Sequence, residues 1–175
     1  VKLINQLQDL KVDVKVFSSI NHNKHLNEVS SNIKYGKYVE EYPYKTYRLI
    51  NIFSKYFSNY LIKRWNPDII HETYYSSIKF HTKKTIKVLT VYDMIHEQYP
   101  DYFFKDNTTK EKKNACEYAD HIICISENTK KRLIEKFHLS EKKISVIYLG
   151  ADHLDNTPDM EMVINKNYIL YVGDR

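Results

Sequence analysis

Glycine is scarce in this chain. Three residues, Gly36, Gly150 and Gly173, serve a sequence of 175. None of them builds G-x-G-x-x-G or a P-loop. A dinucleotide or Walker-type site needs backbone to touch pyrophosphate at such a turn, so these residues do not carry one. Cysteine is as rare. Cys116 and Cys124 alone make neither a disulfide framework nor a zinc motif, and a reducing compartment follows as the default. Four prolines and three glycines exclude collagen and Pro/Gly-rich disorder. No apolar run approaches the ~18 residues of a membrane-spanning helix. The longest, Ile144 to Ala151, is strand-sized. No secretory leader is visible, and the first residue, Val1, is not Met, so the true N-terminus is expected upstream.

Arginine is the last shortage. Of 27 basic residues only Arg48, Arg64, Arg132 and Arg175 are arginine. Arginine is the usual reader of phosphates and guanine edges. With a net charge of +5 and a pI near 8.9, just below the ~9 of nucleic-acid domains, no nucleic-acid partner is expected. What the chain has in quantity is lysine and tyrosine, 16 of the latter. A hydrophobic share of 42% and a charged share of 28% are ordinary for a globular domain.

Periodicity divides the chain. Leu3, Ile4, Leu7 and Leu10 recur at helical spacing. Val12, Val14 and Val16 alternate with Asp13 and Lys15 as a half-wet strand does. Residues 18–43 are polar and aperiodic and read as a long loop with a short helical piece. Residues 44–64 form the longest helix candidate, with Leu49, Phe53, Tyr56, Phe57, Tyr60 and Leu61 as its apolar face. Asn66-Pro67 ends it. Short apolar strands follow at 68–72, 85–93, 121–126 and 144–149. Thr108 and Glu111 suggest a capping box opening a helix to Tyr118. Ser126 caps a helix to about His138, with Leu133, Ile134 and Phe137 inward.

Strands apolar on both faces and alternating with helices predict an α/β, Rossmann-like doubly wound parallel sheet. Such sheets bind ligands at the carboxyl ends of their strands. Attention therefore falls on His71 and Glu72, Asp93 to Glu97, Ser126 to Asn128 and Gly150 to Asp152. Neither His71-Glu72 nor His96-Glu97 is an HExxH motif, and spacing supports no metal. There is no GxSxG elbow.

Four stretches, in order, carry a resemblance. They are Pro67-Asp68-Ile69-Ile70-His71; Val88 to His96, with Pro100 following; Ala119-Asp120-His121-Ile122-Ile123-Cys124-Ile125-Ser126-Glu127-Asn128-Thr129-Lys130; and Lys143 to Asp152. Together they resemble the N-terminal domain of glycosyltransferase family 4, retaining enzymes of the GT-B fold. The third stretch is the most specific. Before Pro67 the resemblance rests on topology alone.

The resemblance implies a hexosyltransferase acting in cell-surface polysaccharide synthesis, similar to bacterial mannosyltransferases. Its co-substrate is a nucleotide sugar and its acceptor a glycan or lipid-linked glycan, with no metal and no further cofactor. It implies an acceptor-side domain over 1–150, a linker over 151–167 and the first strand of a donor domain over 168–175. The glycine-rich loop and most of the donor domain are not among these residues, so the fragment is expected to be inactive alone. Asp93 lines the implied cleft as a catalytic residue. Tyr92 departs from the family's usual His, and His96 stands near enough to share that role. His71, Glu72, Ser126, Gly150 and Asp152 are implied substrate contacts. Arg175 matches a phosphate-binding position. His71 is equally compatible with a structural bond to a neighbouring loop, Ser126 with a simple cap, and Asp152 with a linker residue.

The 44–64 helix carries Lys45, Arg48, Lys55, Lys63 and Arg64 with no acid. It reads first as an ordinary sheet-covering helix with a solvated polar face. The expected location is cytoplasmic; on the alternative reading, a helix lying on an anionic membrane, it is peripheral at the inner face of the cell membrane. A non-catalytic α/β binding domain, or a remnant contacting a membrane or a protein, is the alternative to an enzyme.

Overall fold

A computed structural model describes residues 1–75, 84–104 and 107–150. Helix α1 (Lys2–Asp9) leads to strand β1 (Val16–Asn21). After a 3-10 segment, Lys24–Glu28, comes β2 (Lys34–Tyr38), then the long helix α2 (Tyr47–Trp65). Strands β3 (Ile69–Glu72) and β4 (Ile86–Val91) follow. The short α3 (Ile95–Gln98) precedes α4 (Thr108–Tyr118), β5 (His121–Cys124), α5 (Glu127–Phe137) and β6 (Ile144–Val146).

Among the described residues every strand pairing is parallel. Strands β3-β4-β5-β6 form one sheet in that order, and β1 pairs with β2 in a second. This is the α/β, Rossmann-like doubly wound class that the alternation of strands and helices predicts. In the four-stranded sheet, the register places Leu89 beside Ile122 and Val91 beside Cys124, with Ile122 beside Ile144. These residues line one face. Ala115, Cys116 and Ala119 of α4 and its end, with Leu133 and Phe137 of α5, close over them into a single core. The opposite face carries Val88, Thr90, His121, Ile123 and Ser145 and is more polar. Two imidazole–hydroxyl pairs sit on it. His71 Nε2 lies 2.8 Å from Thr90 Oγ1, and His121 Nε2 lies 2.8 Å from Ser145 Oγ.

Several local expectations need correction. The first strand is not centred on Val12 to Val16 but begins at Val16. Residues 18–43 are not one loop: they complete β1 and hold the 3-10 segment and β2. Polar strands escaped notice because β2 is held by backbone pairing to β1 rather than by apolar burial. Gly36 shows how close that pairing is. A Cβ there would stand 1.9 Å from the Ser18 carbonyl oxygen, so only glycine fits. The capping box at Thr108 does not form. Asn107 takes the N-cap position, without a side-chain cap bond, and Thr108 is already helical.

Helix α2 ends as expected, with Asn66 left-handed at φ 52°, a conformation Asn tolerates. Its orientation is not the expected one. Leu49, Phe53, Tyr56, Phe57 and Tyr60 are exposed, and the helix faces β1 with Ser54 and Ser58. Ser19 Oγ stands 2.9 Å from Ser58 Oγ and donates to the Ser54 carbonyl at 3.3 Å. Ile62 is buried, and Trp65 packs on Phe17 with ring centroids 5.9 Å apart. The largest apolar cluster on a helix is the natural sequence choice for its buried face. Here small hydroxyls fit the close approach to β1 instead.

Candidate functional site

Parallel pairing turns the carboxyl ends of β3, β4, β5 and β6 to one edge. Asp93 follows β4 there. Its Oδ1 accepts from the Ile95 backbone N–H at 3.0 Å, which shapes the turn into α3. The side chain stays 46% exposed. This carboxylate is oriented by the chain yet open to a ligand.

Beneath Asp93 lies a residue the strand-end rule does not select. Lys112, on α4, is fully buried. Its Nζ donates to Glu97 Oε2 at 2.6 Å and to the Asp93 carbonyl at 3.0 Å, and stands 3.8 Å from Asp93 Oδ1. It also lies 5.1 Å from the centre of the Tyr75 ring. Burial, and next the Asp93 charge, push the Tyr75 hydroxyl well above the usual phenol range, so Tyr75 stays protonated. The sequence did carry a signal. Lys112, Ala115, Cys116 and Ala119 share one helical stripe, and a lysine on an apolar stripe requires a buried anion.

The loop after β4 is tied to the next element as well. Ser126 caps α5, its Oγ accepting from the Thr129 N–H at 3.1 Å. Thr129 Oγ1 in turn donates to the Tyr92 carbonyl at 3.3 Å. Tyr92 is half-buried. The expected cap and the half-polar loop thus brace one another, and the open N-terminus of α5 lies beside them.

His71 and Glu72 end β3, in register with Val88 and Leu89 of β4. The His71 ring bonds Thr90 on the polar face, whereas Asp93 is held by Lys112 from the α4 side. The two share an edge but not partners. Loss of water around the His71 ring lowers its pKa below the ordinary 6.5, so the ring is neutral at pH 7. His96 sits on α3 with its ring 4.2 Å from Phe103 and tilted against it. Gly150 is exposed and lies beyond the end of β6, with nothing near enough to touch a Cβ. Asp152 and Arg175 lie outside the described residues, as do the 151–167 linker and the 168–175 strand.

The arrangement offers an anchored, half-exposed carboxylate, a neutral imidazole and a helix N-terminus along one edge. Such groups accept and donate hydrogen bonds to hydroxyl-rich ligands and hold partial charge in place. Among the described residues, no three His, Cys, Asp or Glu side chains gather as metal ligands would. No match among curated proteins was found. The family model described as Glycosyltransferase Family 4 matches residues 1–153.

Proposed function

The chain belongs to glycosyltransferase family 4, and from that premise we propose that it serves the transfer of a hexose from a nucleotide sugar to a glycan or lipid-linked acceptor, with retention at the anomeric carbon. The observation that carries this reading is the Asp93 carboxylate, which accepts from the Ile95 N–H on a backbone whose carbonyl the buried Lys112 holds, yet is open at the carboxyl edge. In this role Asp93 accepts a hydrogen bond from a reacting sugar. Positioning and charge stabilisation, rather than a strong base, lower the barrier. Tyr92 and His96 flank it, and His71, Glu72 and Ser126 line the same edge for the acceptor. Gly150 and Asp152 follow the last strand, and Arg175 contributes to holding the diphosphate. No metal is needed on this reading, because protein groups carry the developing charge.

Two finer points belong to the proposal. The product is a cell-surface polysaccharide, made by a mannosyltransferase-like reaction on the cytoplasmic side. Where the acceptor is lipid-linked, the chain meets the membrane peripherally through the 44–64 segment. The test offers the full-length protein UDP-glucose, UDP-galactose, UDP-N-acetylglucosamine and GDP-mannose in turn, with a lipid-linked glycan extract and with chelator present. Released nucleoside diphosphate and the anomeric configuration of the product are measured. One donor consumed with retention is the expected result. No release from any donor, or an inverted product, ends the reading.

A further inference from the structure

We infer that the outward face of α2 docks on an anionic lipid bilayer. This extends the transferase reading, in which it would bring the edge of the sheet to a lipid-linked acceptor. The geometry behind it stands by itself.

The orientation of α2 is held by its polar side. Ser19 Oγ meets Ser58 Oγ and the Ser54 carbonyl, Ile62 is buried, and Trp65 rests on Phe17. Turning the helix over would strip those hydroxyls of partners and set aromatic rings against β1. The outward side is therefore built to face out. It presents Leu49, Ile52, Phe53, Tyr56, Phe57 and Tyr60, all exposed. Phe53 and Phe57 stack on each other at 5.6 Å. An exposed cluster of this kind marks a contact surface.

Charge decides what makes the contact. Arg48, Lys63 and Arg64 are exposed on the same helix. The 44–64 segment has five cations and no acid. Arg64 reaches back toward the Tyr60 hydroxyl at 3.4 Å, so cation and ring sit side by side. Two copies of this chain joined through α2 would bring cations against cations. A bilayer with anionic headgroups accepts both features at once. Rings and aliphatic side chains enter the headgroup boundary, and Lys and Arg reach the phosphates. No described helix is long and apolar enough to cross a membrane. The contact lies in the interfacial plane.

The test is flotation of the full chain with vesicles of phosphatidylcholine alone and with equal parts phosphatidylglycerol. Expected is partition into the anionic vesicles, weak partition into neutral ones, and loss at high salt. Phe53→Ser with Tyr56→Ser should lower partition at least about tenfold. Arg48→Gln with Arg64→Gln should lower it by about thirtyfold, at ~1 kcal/mol per surface cation. All four side chains are exposed, so both variants keep the fold, which circular dichroism checks. Tyr102→Ser, at an exposed aromatic on another element, should change nothing. Failure to float with anionic vesicles overturns the inference. So does unchanged partition in the paired variants, or a lipid-free dimer that the Phe53 and Tyr56 changes dissolve. A chain that floats but consumes no nucleotide sugar sinks the transferase reading alone. An active chain that ignores vesicles sinks only the docking.

Discussion

Lys112 Nζ lies 2.6 Å from Glu97 Oε2, with side-chain exposures of 0% and 2%. One ion pair, closed off from water, links α4 to the loop that presents Asp93. The same ammonium holds the Asp93 carbonyl, so α4, α3 and the end of β4 share one hub. Desolvating two charges costs several kcal/mol, which close attraction and the Lys112 bond to the Asp93 carbonyl offset in part, since Glu97 Oε1 is buried without a hydrogen-bond partner. The pair is thus a weak source of net stability. What it does is tie the loop after β4 to α4.

Lys112→Met strands a buried carboxylate and should destabilise the chain by about 3–5 kcal/mol. Lys112→Met combined with Glu97→Leu removes both charges and should recover most of that loss. Urea unfolding of the two variants beside the parent measures it. A single variant as stable as the parent would mean that water reaches the pair.

The orientation of α2 makes a second prediction. Ile62 is buried and Phe53 exposed. Ile62→Ala should cost about 2–5 kcal/mol, while Phe53→Ala stays within about 0.5 kcal/mol. The helical pattern alone predicts the reverse order. Thermal or urea unfolding of the two variants decides between the orientations.

These two cases mark where the sequence was not legible. The strands of the four-stranded sheet could be read because each is a short apolar run bounded by turn residues, and their parallel pairing followed from the intervening helices. Ser126 was found as a cap because its neighbours match a local hydrogen-bonding pattern. Strand β2 was missed because Lys34-Tyr35-Gly36-Lys37-Tyr38 is held by backbone bonds to β1, which no side-chain period records. The inner face of α2 was missed because pattern reading ranks faces by hydrophobicity, and a close helix–strand approach selects small hydroxyls. Asp93 was selected by its place after a strand. Lys112 was not, because its partner Glu97 lies on another helix and only the fold joins them.

The buried thiols should be inert. Burial, and then mutual repulsion with Cys124, push the Cys116 thiol up to about 12. Burial pushes Cys124 up to about 11. The reactive form is the thiolate, and at pH 8 almost none is present. An aromatic disulfide reagent should label neither cysteine in the native chain and both in denaturant. Rapid native labelling would show that α4 opens from the sheet.

His71 supplies a pH dependence. Desolvation holds its folded pKa below the unfolded value of 6.5. As pH falls through 6.5 the unfolded chain takes the proton first, so stability drops from there down to the folded pKa and then levels off. The imidazole keeps contact with water, which keeps the effect small. His71→Gln should flatten the part of the stability profile that lies just below pH 6.5. An unchanged slope in urea titrations would assign the dependence to another group.

The charge on Asp93 should matter more to transfer than any other group at the edge. Asp93→Asn keeps an oxygen able to accept from the Ile95 N–H, and leaves the backbone carbonyl that Lys112 holds. Loop geometry therefore survives, and what is lost is the negative charge. If that charge meets a reacting sugar, the loss falls on the transition state, on the order of 10²- to 10³-fold in kcat with little change in KM. His71→Asn removes a neutral ring bonded to Thr90 and should cost under about tenfold, since it withdraws one uncharged hydrogen bond. The measurement is nucleoside diphosphate release by the full-length protein with its preferred donor, with urea unfolding of each variant to confirm that the fold is intact. A folded Asp93→Asn enzyme with the parent's kcat would move the chemistry away from the end of β4 and leave Asp93 as the residue that shapes the turn into α3.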